Sequence, residues 1–330
     1  MILAGDIGGT KCNLALLDDE QGHFDPVVEK SLPSQQYPGL EEVILDFLSD
    51  PEVESFRSET KRICLGVAGP VVGGRVKTTN LPWTADTDRL REKLKVERIL
   101  LINDLEATGY GIEALGGDDL AVLNAGDPPD DGNGALIAAG TGLGEALLIR
   151  ENGGLRPVAS EGGHTSFGPR SELEVELLLH LMRRWEHVSY ERVLSGPGLV
   201  NIFEFLRDSG RGEASEWVQQ RWDEGDDPGA LISEAAMESR CPLCAQALDL
   251  FVSIYGAEAG NLALTVKAVS GVYVGGGIAP KILSKLQEGS FIESFLSKGR
   301  LTHLMEIAPV FVILNPKTAT LGAARRARGM

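Results

Sequence analysis

The sequence lacks the features that would place it in a membrane or nucleic-acid-binding class. No apolar run approaches the eighteen or so residues of a membrane span. Basic residues are few, 31 against 48 acidic ones, so the formal charge is −17. A nucleic-acid backbone or an anionic membrane would be repelled by such a surface. A phosphorylated ligand remains compatible with it, because a local nest of backbone N–H groups can bind phosphate inside an acidic protein.

Cysteine is also scarce, and the N-terminus lacks the marks of a targeting signal. Cys12 and Cys64 lie in apolar runs, and nothing suggests a disulfide framework. Cys241 and Cys244 form a CxxC pair that no second pair or histidine cluster completes, which favours two thiols on a helix face over a zinc site. The first residues have no basic region and carry Asp6 where a signal peptide would need apolar residues. We therefore expect a cytoplasmic protein.

The length and composition indicate an ordinary globular chain with more than one core. The chain has 330 residues, 43% of them hydrophobic and 24% charged. A single hydrophobic core seldom serves a chain of this size. The sequence therefore predicts two domains, or one fold with two lobes.

A glycine-rich turn near the N-terminus separates two apolar arms within residues 2–17. Gly8 and Gly9 form the turn, and Thr10 and Lys11 add a hydroxyl and a cation. The chain contains no Gly-Lys dipeptide, so this is not a Walker A loop, and it does not match a GxGxxG segment that opens a helix. Two interpretations stay open: an ordinary hairpin, or a loop whose backbone N–H groups wrap phosphate oxygens.

The same pattern returns about 133 residues further along, in residues 135–149. Two apolar arms again flank a turn, this time with Gly140, Thr141 and Gly142. Each of the two turns begins a run of alternating strand-like and helix-like segments. The repetition predicts a duplicated α/β fold with one phosphate-binding turn from each half.

An apolar run over residues 100–102 ends abruptly at Asn103 and Asp104, which precede a helix-like segment. This pattern predicts a buried strand with both polar side chains at its carboxyl end, where open α/β sheets bind ligands. A carboxylate there can take a proton from a substrate hydroxyl. Alternatively, Asn103 or Asp104 simply caps the helix that follows.

Several loops carry polar or glycine-rich groups that suit a ligand. Glu161 and His164 lie in a glycine-rich loop rather than on an apolar helix face, which favours a ligand site. Asn80 lies in a loop next to an indole and suits either a sugar or a turn, whereas Glu191 alone suggests only a surface residue. The triple glycine at 275–277 leaves backbone uncovered, so a flat ligand such as a purine could lie there.

Together these motifs resemble one family, in order and over nearly the whole chain. The matching segments are LAGDIGGTK, TNLPW, LINDLEA, AAGTGLGEA, SEGGHTSFGPRSELE, ERVLSGPGL and VGGGIAPK. They are similar to those of the bacterial-type ATP-dependent glucokinases, which belong to the superfamily of sugar kinases, heat-shock ATPases and actin. The first and fourth segments are shared widely across that superfamily, whereas the EGGH, NDLEA and ERVLSGPGL segments are much more specific.

The resemblance implies a role for each group of residues. Asp104 would be the catalytic base, and Asp6 would help to order Mg²⁺ through water. Glucose hydroxyls would be held by Asn103, Asp104, Glu161, His164 and Glu191, with Asn80 nearby. ATP would be bound by Gly8, Gly9, Thr10 and Lys11 of the first turn, by Gly140, Thr141 and Gly142 of the second, and by Gly275, Gly276 and Gly277 beside the adenosine.

The resemblance also implies an actin-like, ribonuclease H-like duplicated α/β fold with two lobes, each built on a mixed five-stranded sheet. The small lobe would comprise residues 1–112 and 315–330, and the large lobe residues 113–314, with a homodimer as the assembly. One residue departs from the expected pattern: Glu145 stands where an apolar strand residue is more usual.

Two alternatives to glucose phosphorylation remain. The chain could be a kinase for another hexose, such as mannose, fructose or an N-acetylated amino sugar, or could use polyphosphate as the donor. It could also be a sugar- and nucleotide-binding regulator with little turnover. Nothing in the sequence separates the hexoses.

Overall fold

The computed structural model describes residues 1–18, 26–78, 81–129 and 131–330. Strands and helices alternate in the way that the hydrophobic patterns predict. The strands are β1 (Ile2–Ile7), β2 (Lys11–Leu17), β3 (Pro26–Pro33), β4 (Arg62–Val67), β5 (Arg75–Lys77), β6 (Thr84–Asp86), β7 (Arg98–Asn103), β8 (Leu120–Asn124), β9 (Gly134–Ala139), β10 (Leu143–Glu151), β11 (Gly154–Ser160), β12 (Gly271–Gly275) and β13 (Val310–Ile313).

The helices cover the amphipathic segments, most of which bury one face. They are α1 (Leu40–Ser49), α2 (Thr87–Leu94), α3 (Asp104–Gly111), α4 (Glu172–Leu181), α5 (Gly196–Asp208), α6 (Glu216–Asp223), α7 (Pro228–Met237), α8 (Pro242–Val266), α9 (Leu283–Gln287), α10 (Ser290–Leu296), α11 (Thr302–Glu306) and α12 (Thr318–Arg328). Short 3-10 turns connect several of them.

The contacts divide the chain into two compact units. The small unit comprises residues 1–116, 154–159 and 315–330, and the large unit comprises residues 117–153 and 160–314. Among the described residues, no helix combines the length and apolarity that crossing a membrane requires. The predicted lobe boundaries and the predicted homodimer stay predictions.

The small unit is built on a mixed sheet whose strand order is β3-β2-β1-β4-β7. β1 and β2 form the antiparallel hairpin around the first glycine turn, whereas β1, β4 and β7 run parallel. The register aligns Ile7, Val67 and Asn103, so these three strands end at one edge of the sheet. Gly66 is required there, because a Cβ atom at this position would lie 2.8 Å from the Ala107 Cβ of α3.

The small unit buries a core on each face of this sheet. One core contains α1 and α2, with Phe47 and Leu90 fully buried. The other is formed by α3 and α12, which pack very closely: a Cβ atom on Gly322 would lie 1.8 Å from the Ala107 carbonyl oxygen. The C-terminal helix is thereby fixed against the helix that begins at Asp104.

The second sheet has the strand order β11-β10-β9-β12-β13-β8. It is also mixed, since β9, β12 and β13 are parallel and β10 and β8 are antiparallel to their neighbours. The long helix α8 packs against β9, and the buried Tyr255 hydroxyl accepts a hydrogen bond of 3.1 Å from the Ala139 backbone N–H. This sheet has one strand more than the five predicted.

Candidate active site

Asn103 and Asp104 lie at the junction of β7 and α3, as the sequence predicts. Asn103 is the N-cap: its Oδ1 accepts hydrogen bonds from the backbone N–H groups of Leu105 at 2.9 Å and Glu106 at 3.2 Å. Its Nδ2 donates to the Gly69 carbonyl oxygen at 3.2 Å. The amide side chain is therefore held at both ends, in one fixed orientation.

The Asp104 carboxylate begins the helix instead of capping it. Its Oδ1 lies 2.9 Å from the Leu105 backbone nitrogen, from which it accepts a hydrogen bond. The residue is half-buried at the carboxyl edge of the parallel strands. A carboxylate in the first turn is also stabilised by the helix dipole. Both effects favour an ionised and oriented carboxylate, which is what a general base requires.

Asp6 lies on β1 at the same edge of the small unit's sheet. Burial and then the negative charge of Asp104 raise the pKa of its carboxyl to about 6, against a hydrogen bond from Asn13 that lowers it. Such electrostatic coupling means that the two carboxylates are close enough to repel each other. A divalent cation would relieve that repulsion.

The donor set around Asp6 is consistent with Mg²⁺. Within the described ranges, no group of three or more His, Cys, Asp and Glu side chains could hold a metal ion. Mg²⁺ in phosphoryl-transfer sites uses one or two carboxylates and keeps water and substrate phosphates as its other ligands. Asp6, with Asp104 close by, supplies carboxylates in the number that such a Mg²⁺ site uses.

The first glycine turn is held by the segment that follows β3. Gly8 donates its backbone N–H to the Lys11 carbonyl oxygen at 2.9 Å, and the Ser34 hydroxyl donates to the Gly8 carbonyl oxygen at 2.7 Å. The Thr10 carbonyl oxygen accepts from the Ser34 N–H at 3.0 Å. Thr10 and Lys11 are exposed. Asn80, predicted to lie near the sugar, falls outside the described residues.

The second glycine turn joins β9 to β10 in the large unit. Gly140 donates to the Gly142 carbonyl oxygen, and its own carbonyl oxygen accepts from the Gly196 N–H at the start of α5, both at 2.8 Å. Thr141 is exposed at the tip of the turn. The turn therefore lies beside the N-terminus of a 13-residue helix, a position that favours an anion.

Glu191 is part of the same arrangement, although its sequence context suggested only a surface residue. Its Oε2 accepts a hydrogen bond of 3.0 Å from the Leu143 backbone N–H, and it lies 2.5 Å from where a Cβ atom on Gly142 would be. Its backbone carbonyl oxygen accepts from the Ser195 hydroxyl, which caps α5. Glu191 thus connects the second glycine turn to the start of α5.

Glu161 and His164 lie in a short 3-10 turn, where both are exposed. The His164 N–H donates to the Glu161 carbonyl oxygen at 3.0 Å. The two glycines between them are required by close approach: a Cβ atom on Gly163 would lie 2.1 Å from the Leu143 carbonyl oxygen. The turn is therefore pressed against the first residues of β10.

A cavity of about 880 Å³ opens beside the second glycine turn. Gly140, Thr141 and Gly277, which were predicted to bind the nucleotide, all line it. Gly275 is buried at the end of β12, and Gly276 adopts a φ of +83° and packs against the Ala139 backbone, so neither lines this cavity.

The sequence pattern missed an aromatic and cationic wall of this cavity. The guanidinium carbons of Arg184 and Arg192 each lie 4.7 Å from the ring centroid of Trp185. Lys281 and Asn201 also line the space. The adjacent Arg184-Trp185 pair was a signal, but Arg192 comes near only through tertiary packing.

Comparison with known proteins settles the family. Residues 3–330 match the family model described as Glucokinase. The chain belongs to the glucokinase family. It is 42% identical over 340 residues to the glucokinase of Nostoc punctiforme, covering 98% of each chain.

Solved structures agree with the family at the level of the fold. The glucokinase from an Antarctic psychrotroph superposes with a TM-score of 0.84 and 30% identity, covering 100% of this chain and 99% of that one. A ROK family glucokinase from Streptomyces griseus, in complex with glucose and AMPPNP, shares the fold, with a TM-score of 0.64 at 22% identity. The match covers 100% of this chain and 99% of that one. The predicted glucokinase family, sugar-kinase activity and actin-like fold are confirmed.

Proposed function

We propose that this chain transfers the γ-phosphoryl group of ATP to the 6-hydroxyl of glucose, with Asp104 as the general base. The observation that carries the proposal is the pairing of Asp104 and Asp6 at one edge of the small unit's sheet. Asp104 is oriented at the N-terminus of α3 by the hydrogen bond that it accepts from the Leu105 N–H. Asp6 is coupled to it through charge.

The chemistry requires one residue for each of two tasks. Asp104 accepts the proton of the sugar hydroxyl as the new P–O bond forms, and such a base contributes roughly a hundred- to ten-thousandfold in rate. Asp6 would hold Mg²⁺ through water, and the chemistry supplied there would be neutralisation of charge on the transferred phosphoryl group. Asn103 is fixed by its bonds to Leu105, Glu106 and Gly69, and offers an amide edge of constant orientation.

Glu161, His164 and Glu191 are proposed as partners for the remaining glucose hydroxyls. The support is their placement in the large unit: all three are held near the beginning of β10, by the Gly162-Gly163 turn and by the Leu143 N–H. Two carboxylates and an imidazole suit a neutral polyol, and an analogue that left one of them unpaired would bind worse.

ATP is proposed to occupy the cavity beside the second glycine turn. Gly140 and Thr141 would present backbone N–H groups to the phosphates, helped by the N-terminus of α5. Trp185 and the guanidinium group of Arg192 supply a flat and cationic wall that suits a nucleotide. The first turn, from Gly8 to Lys11, is proposed as the second contact to the ATP phosphates. Asn80 is proposed as a contact to the sugar on the resemblance alone.

The direct test is a coupled assay of purified protein with glucose and Mg·ATP, run beside mannose, fructose and N-acetylglucosamine. We expect glucose to give the highest kcat/KM. A markedly higher value on another sugar would assign the site to that hexose. Sugar and nucleotide binding without turnover would identify a regulator instead.

The role of Asp104 is tested with Asp104→Asn, which keeps an oxygen for the Leu105 N–H. We expect glucose to bind within about threefold of the parent affinity while kcat falls by roughly a thousandfold. Asp86→Asn is the matched control, because Asp86 accepts a backbone N–H at the start of α2 in the same unit. Near-normal turnover of Asp104→Asn would show that Asp104 is not the base.

A further inference from the structure

Glu145 is a buried acid whose position the mechanism does not explain. It lies on β10, where the sequence departs from an apolar pattern, and is only 3% exposed. Its Oε1 has no hydrogen-bond partner among the described residues. Burying an ionised carboxylate in this way is costly, so the group favours its neutral form.

The surroundings of Glu145 strengthen that preference. Helix α8 brings a second carboxylate, Glu258, which is 5% exposed, together with the Tyr255 hydroxyl. The partner strand β9 is apolar and places Ile137 opposite Glu145. Burial, and then the charge of Glu258, raises the pKa of Glu145 to about 8. The carboxyl is therefore largely neutral at pH 7.

Among the described residues, no cationic side chain forms an ion pair with Glu145. Glu258 accepts a hydrogen bond of 2.8 Å from the Asn261 side chain, and a further bond links it to Tyr190. The Lys298 ammonium group donates to Asn261 Oδ1 and to the Ala257 carbonyl oxygen. The positive charge therefore lies on the far side of Glu258, and ionising Glu145 would place a second negative charge in the same interior.

Glu145 is in direct contact with the turn that carries Glu161 and His164. A Cβ atom on Gly162 would lie 2.1 Å from Glu145 Oε2, so the carboxyl packs against that glycine. The Ser160 hydroxyl donates to the Glu145 carbonyl oxygen at 2.9 Å and accepts from the Gly162 N–H at 3.2 Å. Any movement of the carboxyl is therefore transmitted to the turn.

We propose that Glu145 is a positioning residue for glucose: as a neutral acid it supports the turn at Gly162, and its ionisation displaces that turn and weakens sugar binding. The inference rests on the proposed function, in which Glu161 and His164 hold glucose hydroxyls. Of the titratable groups near Glu145, Glu258 and Tyr255 come from α8, and Glu161 and His164 lie beside Gly162 in the turn, where both are exposed.

The test compares the parent and Glu145→Gln, which keeps the shape and stays neutral. If glucose binding requires the neutral acid, the apparent KM for glucose of the parent should rise about tenfold between about pH 7 and pH 9. The KM of Glu145→Gln should stay within about twofold over the same range. The KM for ATP should show no such difference between the two proteins, because Glu145 does not line the nucleotide cavity.

Glu41→Gln is the matched control. Glu41 is also a buried glutamate, 4% exposed, whose Oε1 has no hydrogen-bond partner among the described residues, but it lies on α1 of the small unit, where Arg89 Nε is 3.6 Å from that oxygen. Its pH profile should follow the parent. A Glu145→Gln profile that also follows the parent would overturn the positioning role. A parent that phosphorylates no glucose at pH 7 would instead overturn the proposed function.

A second measurement decides the question even if Glu145→Gln does not fold. The Glu145 carboxyl is titrated by ¹³C NMR in the parent, with and without saturating glucose. Because linkage is reciprocal, a ligand that prefers the neutral acid must raise its pKa. We expect an upward shift of the titration midpoint with glucose. An unchanged or lowered midpoint would contradict the proposal.

Discussion

The Glu191 carboxylate accepts a hydrogen bond of 3.0 Å from the Leu143 backbone N–H. A residue proposed to bind glucose is therefore held by β10, the strand that follows the second glycine turn. The turn is proposed to bind phosphate and Glu191 to bind glucose. The position of one therefore depends on the other, within a single unit. This dependence leads to the first prediction.

Gly142→Ala should disturb glucose binding from within the phosphate turn. A Cβ atom at this position would lie 2.5 Å from Glu191 Oε2, so the carboxylate must shift. We expect the KM for glucose to rise by about tenfold, a cost of about 1.4 kcal/mol. Gly140→Ala is the control, since its Cβ atom would meet nothing within 4 Å. Equal effects of both variants on the KM for glucose would refute this coupling.

Trp185→Ala should weaken nucleotide binding alone. Its ring lies between two guanidinium groups on the wall of the proposed ATP cavity. We expect the KM for ATP to rise by about tenfold, with the KM for glucose little changed. Isothermal titration with AMPPNP checks the same loss without turnover.

Trp217→Ala is a matched control for that substitution. Trp217 also carries two guanidinium groups, from Arg221 at 4.9 Å and Arg240 at 4.6 Å, but it does not line the cavity. Its loss should leave the KM for ATP unchanged. If Trp217→Ala weakened ATP binding as much as Trp185→Ala, a general loss of stability would explain both results.

The requirement for Mg²⁺ should depend on pH through Asp6. Burial and the Asp104 charge raise the pKa of Asp6 to about 6, so the group is protonated below that pH and ionised above it. Only the ionised form attracts the cation. We expect the Mg²⁺ concentration for half-maximal activity to rise about tenfold between about pH 6.5 and pH 5. Asp6→Asn should need more Mg²⁺ at every pH, and a pH dependence like that of the parent would contradict the role of Asp6.

Glu145 should make the protein less stable as the pH rises. Because its folded-state pKa is raised to about 8, the unfolded chain ionises from about pH 4.5 upward while the folded protein remains neutral. The stability of the parent should therefore fall between these two values and level off above the folded pKa. Glu145→Gln cannot ionise and therefore avoids this loss, so its free energy of unfolding should gain roughly 4 kcal/mol on that of the parent by pH 8.

Urea unfolding of both proteins at about pH 5, 6.5 and 8 measures the difference. The advantage of Glu145→Gln should be small at the lowest pH and largest at the highest. An advantage that is constant with pH would mean that Glu145 does not titrate with a raised pKa.

Much of the fold could be predicted because its signals are local. Apolar runs predicted β1, β7 and β9, and the break at Asn103 placed the polar pair at a strand end. The alternative in which one of them caps the helix is resolved by side-chain geometry: Asn103 is the cap, and Asp104 gives one oxygen to the Leu105 N–H. A cap and a potential base thus occupy adjacent positions.

The sequence by itself determined where strands end, where glycine turns occur and which polar groups follow them, because these depend on residues a few positions apart. Only the tertiary structure decided that Asp6 and Asp104 share one sheet edge, that Arg192 reaches Trp185, and that Glu145 lies between Glu258 and Gly162. Most of these pairs are far apart in the chain. Strand register and helix packing bring them together, and no local pattern encodes the charge and burial that result.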